Sequence, residues 1–170
     1  MTVYKRRVTR EKVLQTLYAY ELSKEPISTV VDNVLGELRG DTESFEFAKQ
    51  LIDQVVSHQD EIEKYIRAKV SHWEYNRIAV IDKLLLQMGI CEFLYFPDIP
   101  PKVTINELIE VAKTFSTENS GRFVNGILDA VLDELKRTET IKKTGRGLIN
   151  QNLHPKPGQA GPPPESPAGQ

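Results

Sequence analysis

The sequence predicts an all-α protein, and three observations lead to this fold class. Apolar residues recur at steps of three and four over most of residues 13–135, which is the period of one helix face. No segment alternates apolar and polar residues like a strand for more than a few positions. The breaks between apolar stretches are short and hold Gly, Pro or helix-capping residues. This pattern predicts about seven helices with short connections.

The first half of the chain predicts four of these helices. The first has its apolar face over residues 13–22, and the second extends over residues 27–38, with Gly40 placed to end it. A third follows, for which Asp41 or Thr42 is a suitable N-cap. A shorter fourth apolar stretch leads into a predicted turn that contains the only tryptophan.

The second half predicts three more helices. Residues 77–95 are the most apolar part of the chain, which is typical of a central, buried helix, and the prolines that follow end it. Thr104 and Glu107 have the spacing of a capping box for the next helix. Residues 116–121 form a loop or a helix start before the last helix, whose apolar positions fall within residues 124–135.

A change of composition divides the chain into a helical domain, residues 1–137, and a tail, residues 138–170. The tail is first basic and then rich in Pro and Gly, and residues 151–170 hold six of the ten prolines. A segment with so few large apolar side chains cannot bury enough surface to offset its ordering entropy. We therefore predict that the tail is disordered.

Charge is distributed unevenly, although the formal net charge is only −2. Residues 1–15 carry five basic side chains against one acidic, and residues 137–170 carry five against two, so the segment between them is acidic. An acidic body with two basic ends is a poor general polyanion binder. It can still hold a local anion site, because salt screens more distant charges.

The residues that usually carry catalysis or bind metals are few and scattered. Cys91, the single cysteine, excludes an internal disulfide and lies in the most apolar segment, where a thiol is inert. The histidines, His58, His72 and His154, lie on separate segments without metal-ligand spacing. The chain contains no glycine-rich phosphate-binding motif, membrane span or signal peptide. We predict a cytoplasmic protein without catalytic residues, metal or cofactor.

The N-terminal basic cluster is the first candidate binding feature. Arg6 and Arg10 are four residues apart and share a helix face if the first helix begins this early, with Arg7 beside them. Guanidinium groups suit phosphate because they donate two parallel hydrogen bonds and keep their charge. A frayed, solvated terminus is an equally good interpretation.

The second candidate feature is the polar stretch at residues 116–123. A helix that starts here offers unpaired backbone N–H groups to an anion, Arg122 adds a positive charge, and Phe123 is placed to stack on an unpaired base. Alternatively, Asn119 or Ser120 is an ordinary N-cap and Phe123 packs in the core. The spacing alone leaves both interpretations open.

Two sequence blocks, PPKVTINELIEVAKTF at residues 100–115 and FVNGILD at residues 123–129, resemble the signature of the NusB family. The stretch RRVTREKVLQTLYAYEL, residues 6–22, is similar to the arginine-rich helix with which that family begins. The resemblance covers residues 5–136. It implies two packed helical subdomains without a cofactor or a reaction.

The resemblance also implies a function in transcription antitermination. NusB-like proteins pair with the ribosomal protein that doubles as elongation factor NusE. The pair binds the single-stranded boxA element of nascent RNA and joins the antitermination complex of RNA polymerase and other Nus factors on ribosomal RNA operons. The acidic body of this chain suits a basic ribosomal protein as partner.

The resemblance further implies which residues bind RNA and which face the protein partner. The positions that match RNA-contacting residues of the family are Arg6, Arg7, Arg10, Asn119, Ser120, Arg122 and Phe123. Tyr18 and Asp82 match positions that face the protein partner. Gly126 matches a signature residue whose expected role is to allow close approach of two helices.

Two alternatives come from other functional classes. NusB-like domains also resemble the front end of some ribosomal-RNA methyltransferases, so this chain would act in trans with an RNA-modifying enzyme. In the other alternative, the helical body is a homodimeric interaction module.

Overall fold

A computed structural model describes residues 3–148, and within this range the chain forms eight α-helices, two short 3-10 helices and no strand. The α-helices are α1 (Val3–Ser23), α2 (Ile27–Val34), α3 (Thr42–Ser57), α4 (Gln59–Arg67), α5 (His72–Arg77), α6 (Val80–Tyr95), α7 (Pro101–Phe115) and α8 (Glu118–Arg137). The 3-10 helices are Gly36–Gly40 and Gly145–Leu148. The prediction of an all-α fold is confirmed.

The helices pack in two groups around α6. Helix α1 contacts both α2 and α3, which also pack on the 3-10 helix between them, and α6, α7 and α8 form the second group. Helix α6 also contacts α1, α3 and α4, so a single hydrophobic core runs through both groups. This central position explains why α6 is apolar on nearly all sides, as the sequence predicts.

Several helix ends differ from the prediction. Asp41 caps α3 as expected, with its side chain accepting a hydrogen bond from the Ser44 backbone N–H. The second helix is shorter than predicted, because α2 ends at Val34 and a 3-10 turn continues to Gly40. The predicted turn around the tryptophan is instead the short helix α5, which begins with a capping box formed by Ser71 and Glu74.

The predicted capping box at Thr104 and Glu107 is wrong. Helix α7 already begins at Pro101, a residue favoured at the first helical position because its missing N–H has no partner there. Thr104 is therefore inside the helix, where its hydroxyl donates to the Glu92 carboxylate at 3.1 Å. Glu107 is also inside the helix and pairs with Arg7.

The close helix approach expected at Gly126 occurs elsewhere. Gly126 is exposed, and a Cβ atom there would meet nothing within 4 Å. At Gly89 of α6, by contrast, an added Cβ would lie 2.7 Å from Leu128 of α8. Gly89 is thus the residue that lets α8 lie against the central helix.

Residues 138–148 are ordered, which corrects the predicted start of the disordered tail. This segment folds back to the end of α6, where Lys143 and Gly147 are buried. The rest of the predicted tail, residues 149–170, lies outside the described residues. Among the described helices, none has both the length and the apolar character needed to cross a membrane.

Candidate nucleic-acid interface

The two candidate features lie toward opposite ends of α6. Arg10 of α1 contacts Glu92 near the C-terminal end of α6, whereas Ser120 of α8 contacts Asp82 near its N-terminal end. Ten residues of α-helix separate these acidic residues, a rise of roughly 15 Å. The two features therefore form two separate sites, one toward each end of α6, rather than a single cluster.

Arg10 is not a surface residue, and the prediction that it contacts RNA is corrected. Its side chain is 0% exposed, and its Nε and Nη2 donate to the two carboxylate oxygens of Glu92 at 2.9 and 2.5 Å. Burial disfavours the charged guanidinium most strongly, but the charge and hydrogen bonds of Glu92 outweigh it, so the pKa of Arg10 is raised. Arg10 joins α1 to α6.

Arg7 is partly exposed, at 35% of its side chain. Its Nε and Nη2 donate to both oxygens of Glu107 at 2.9 and 3.0 Å, and the hydrogen bond to Glu107 is the main cause that raises the pKa of Arg7. This paired geometry fixes the plane of the guanidinium. Arg7 therefore presents a charged group in a defined orientation at the surface.

Arg6 is half-buried and lies against an aromatic ring. Its guanidinium carbon is 5.0 Å from the centroid of Phe47, which itself packs edge-on against Phe96. Arg6 also lines a small cleft of about 200 Å³ together with Phe96 and Pro97. Of the three predicted arginines, Arg6 and Arg7 thus remain accessible at the surface and Arg10 does not.

The start of α8 is held by a hydrogen-bond network around Asp82. Thr117, rather than the predicted Asn119 or Ser120, is the N-cap, because its side chain accepts from the Ser120 backbone N–H at 3.1 Å. The Ser120 hydroxyl donates to Asp82 at 3.1 Å, and Ser116 lies at 3.4 Å from the other carboxylate oxygen. Asp82 is only 7% exposed, and each of its carboxylate oxygens has a serine hydroxyl beside it.

Among the predicted RNA-binding residues of this region, Asn119 and Arg122 are exposed. Asn119 lies in the first turn of α8, where backbone N–H groups and the helix dipole favour an anion. The Arg122 side chain is 75% exposed and lies 3.2 Å from Glu118 one turn earlier. Surface pairs of this kind are weak, so Arg122 is available to another anion.

Phe123 combines features of both interpretations that its sequence position allows. The ring is half-buried and packs against the hydrophobic core. It also lines an open groove of about 340 Å³, shared with Trp73 and Asp82. Trp73 is 62% exposed, and the guanidinium of Arg77 lies 3.8 Å from the centroid of its ring.

The two residues matched to the protein-partner face lie far apart on the chain. Tyr18 is 39% exposed on α1, and Leu22, four residues later, is 60% exposed, so the two form an apolar patch on one helix face. Asp82 is 7% exposed, and it lines the same groove as Phe123. The structure thus joins Asp82 to the predicted RNA-binding residue Ser120.

Sequence reasoning missed the acidic residues that hold the arginines. Glu92 and Glu107 are 0% and 5% exposed, and they fix Arg10 and Arg7 respectively. A signal for Arg10 was present, because it lies three and four residues before Val13 and Leu14 and so shares their buried face. Glu92, inside the most apolar segment, is the matching signal on α6.

Comparison with known proteins gives consistent matches. Residues 7–133 match the model of the NusB family. The chain is 42% identical over 149 residues to transcription antitermination protein NusB of Chloroherpeton thalassium, covering 87% of this chain and 71% of that protein. It is 40% identical over 151 residues to the protein of the same name from Salinibacter ruber, covering 86% of this chain and 92% of that protein.

Solved structures match the fold as well. A structure of T. maritima NusB aligns with a TM-score of 0.71 at 36% identity, covering 76% of this chain and 91% of that one. A crystal structure of the antitermination factors NusB and NusE in complex with dsRNA contains a chain with a TM-score of 0.71 at 25% identity. The alignment covers 78% of this chain and 99% of that one.

Proposed function

This chain belongs to the NusB family, and from that premise we propose that it is a transcription antitermination factor that binds RNA together with NusE. The observation that carries the proposal is the 42% identity, over 87% of the chain, to a protein named for antitermination. The protein supports transcription of ribosomal RNA operons by recognising a boxA-type element. It acts in the bacterial cytoplasm, within the complex of RNA polymerase and other Nus factors.

The proposed RNA-binding surface has two parts. One part holds Arg6 and Arg7, whose guanidinium groups reach the surface near the C-terminal end of α6. The other holds Asn119, Arg122 and the exposed part of Phe123 at the start of α8. Ser120 contributes by ordering this turn through Asp82. The separation of roughly 15 Å along α6 corresponds to about four nucleotides at ~3.4 Å per stacked nucleotide.

The proposed partner surface for NusE includes Tyr18 and Asp82. Tyr18 and Leu22 offer exposed apolar area, which is the kind of contact that drives association. A basic ribosomal protein is also attracted by the acidic body of this chain. We propose no catalytic step, because the one cysteine is buried and burial raises the pKa of its thiol.

The test is a salt titration of RNA binding, with and without purified NusE. The probes are a short single-stranded boxA-like RNA, the same RNA annealed to its complement, and a scrambled single strand of equal length. We expect the boxA-like strand to bind more tightly than the scrambled strand, and more so when NusE is present. Equal binding of the boxA-like and scrambled strands in the presence of NusE would contradict the proposal.

A further inference from the structure

The segment at residues 138–148, which we call the strap, lies outside the part of the chain that matches the family model. It follows α8 and returns to the C-terminal end of α6. The Thr144 backbone N–H donates to the carbonyl of Pro97 at 2.9 Å, in the loop directly after α6. The strap is therefore attached to the same loop that borders the Arg6 cleft.

Lys143 is the main anchor of the strap. Its side-chain nitrogen donates to the backbone carbonyls of Glu92 and Phe96 at 2.9 and 2.7 Å, and the residue is only 8% exposed. The Glu92 carbonyl lies in the last turn of α6 and also accepts the backbone N–H of Phe96, the C-cap, at 3.2 Å. The Phe96 carbonyl also accepts the backbone N–H of Ile99 at 3.2 Å. Lys143 is thus a second donor to two carbonyls at the C-terminal end of α6, where the helix dipole favours a cation.

Gly147 fixes the second contact of the strap. A Cβ atom at this position would lie 2.0 Å from the carbonyl oxygen of Pro97, so only glycine permits the observed approach. Gly145 has a φ of +52°, in the left-handed region that glycine adopts without strain. The strap therefore packs in one defined position against the end of α6 and the loop that follows it.

Anchoring the strap determines where its other basic residues lie. Lys142 and Arg146 are exposed on either side of buried Lys143. The cleft lined by Arg6 includes Phe96 and Pro97, two of the three residues whose carbonyls hold the strap. Two exposed cations are thus brought to the end of the molecule that carries Arg6 and Arg7.

Acidic groups at this end limit where a polyanion can lie. Glu46 and Asp98 line the Arg6 cleft, and the charge of Asp98 also acts on Lys143. A phosphate group is repelled from the floor of the cleft by these carboxylates. The accessible cations on its borders are the favourable contacts.

We propose that the strap extends the RNA-binding surface, with Lys142 and Arg146 contacting backbone phosphates next to those bound by Arg6 and Arg7. The proposal rests on the proposed function, because it adds phosphate contacts for the same RNA. The contacts are sequence-independent, as expected for lysine and arginine on phosphate. The strap thereby lengthens the bound RNA beyond the two sites at the ends of α6.

The experiment compares the salt dependence of RNA affinity among full-length variants in the presence of NusE. The test variant is Lys142→Gln with Arg146→Gln. The matched control is Lys24→Gln with Lys64→Gln, which removes the same charge from the residue directly after α1 and from α4. We expect the test variant to lower the slope of log affinity against log salt by about 1.4, at about 0.7 per single-strand phosphate. The control should leave the slope unchanged.

Three outcomes decide between the proposals. An unchanged slope in the test variant, with a reduced slope for Arg6→Gln with Arg7→Gln, would overturn the strap contact and leave the proposed function intact. Equal reductions in test and control variants would also overturn it, since net charge alone would then explain the effect. An unchanged slope in the test variant and in the arginine variant alike would contradict the proposed RNA-binding surface itself.

A second variant tests the anchoring. Gly147→Ala keeps every charge but forces the strap away from the Pro97 carbonyl. We expect the salt slope to fall, by less than in the variant that lacks both charges. A slope equal to that of the unchanged protein would show that the basic residues act from a free tether, which overturns the anchored arrangement.

Discussion

The two ends of α6 organise their polar residues in different ways. At the C-terminal end, two arginines of α1 each donate two hydrogen bonds to one carboxylate. Arg10 pairs with Glu92 of α6, and Arg7 pairs with Glu107 of α7. At the N-terminal end, the single carboxylate of Asp82 accepts hydrogen bonds from the hydroxyls of Ser116 and Ser120. These contacts hold the start of α8 in place. The first arrangement places strong charges, whereas the second places backbone N–H groups and weakly paired side chains.

This difference assigns different parts of RNA binding to the two ends of α6: general affinity for phosphate to the first end, and discrimination among bases to the second. Guanidinium groups that keep their charge supply salt-dependent, sequence-independent attraction to phosphate. An ordered helix start beside a half-buried ring supplies position and contact with a base. We therefore expect variants at the first end to change salt dependence and variants at the second end to change discrimination among RNAs.

The largest expected effect is on stability, at Arg10. Arg10→Met leaves Glu92 buried without its cation, which should lower the free energy of unfolding by about 3–5 kcal/mol. Urea denaturation measures this, with the double variant Arg10→Met and Glu92→Met as control. The double variant should be more stable than the single one, because no unpaired charge remains. A loss below about 1 kcal/mol in Arg10→Met would contradict the buried pair.

The next effect concerns Phe123, which is half-buried. Phe123→Ala should lower stability by roughly 1–2 kcal/mol, less than the 3–5 kcal/mol of a fully buried ring. If the exposed part of the ring stacks on a base, RNA binding should weaken by about 1–3 kcal/mol in addition. Thermal melts and binding assays, run side by side, separate the two. Phe123→Leu is the matched control, since it keeps most packing and removes the ring; binding equal to that of the unchanged protein would exclude stacking.

A smaller effect is expected from the titration of Lys143. Burial lowers the pKa of this amine from 10.5 to about 8 in the folded protein. Between these values the unfolded chain binds more protons, so the contribution of Lys143 to stability is present above pH 10.5 and lost as the pH falls through 8. The stability difference between the unchanged protein and Lys143→Met should therefore grow from pH 8 to 10.5 in urea titrations. A flat difference would be inconsistent with a buried amine, and Lys142→Met, at an exposed position, serves as control.

The smallest effect tests whether one RNA spans both ends of α6. Arg7→Gln and Arg122→Gln should each lower the salt slope by about 0.7, and the two together by about 1.4. Additive changes indicate that both ends contact phosphates of the same strand. If Arg122→Gln leaves the slope at the value of the Lys64→Gln control, the start of α8 does not bind phosphate through this residue.

The sequence predicts the helices well because their signals are local. Asp41 is followed by the start of an apolar stripe, and this spacing correctly identifies the cap of α3. The helix start at Pro101 was missed because two residues, Thr104 and Glu107, have capping spacing but serve contacts with other helices. Local spacing does not distinguish a cap from a polar residue that points toward a distant partner.

The site was harder to predict because its geometry depends on contacts far apart in sequence. Arg10 and Glu92 are separated by 82 positions, so neither residue by itself indicates that the other neutralises it. The strap is a similar case, since the seat of Lys143 and Gly147 is formed by the end of α6 and its loop. Composition alone therefore predicted that residues 138–148 begin a disordered tail.

The pairing of Arg7 with Glu107 has a consequence for how RNA is captured. Its two hydrogen bonds use two of the five N–H donors of the guanidinium, so three remain for an incoming phosphate. The side chain is already held in one rotamer, so little conformational entropy is lost when the phosphate arrives. A lysine at position 7 would keep the charge but lack the planar fork, so it could not hold Glu107 in this way and offer a pre-aligned donor set to RNA.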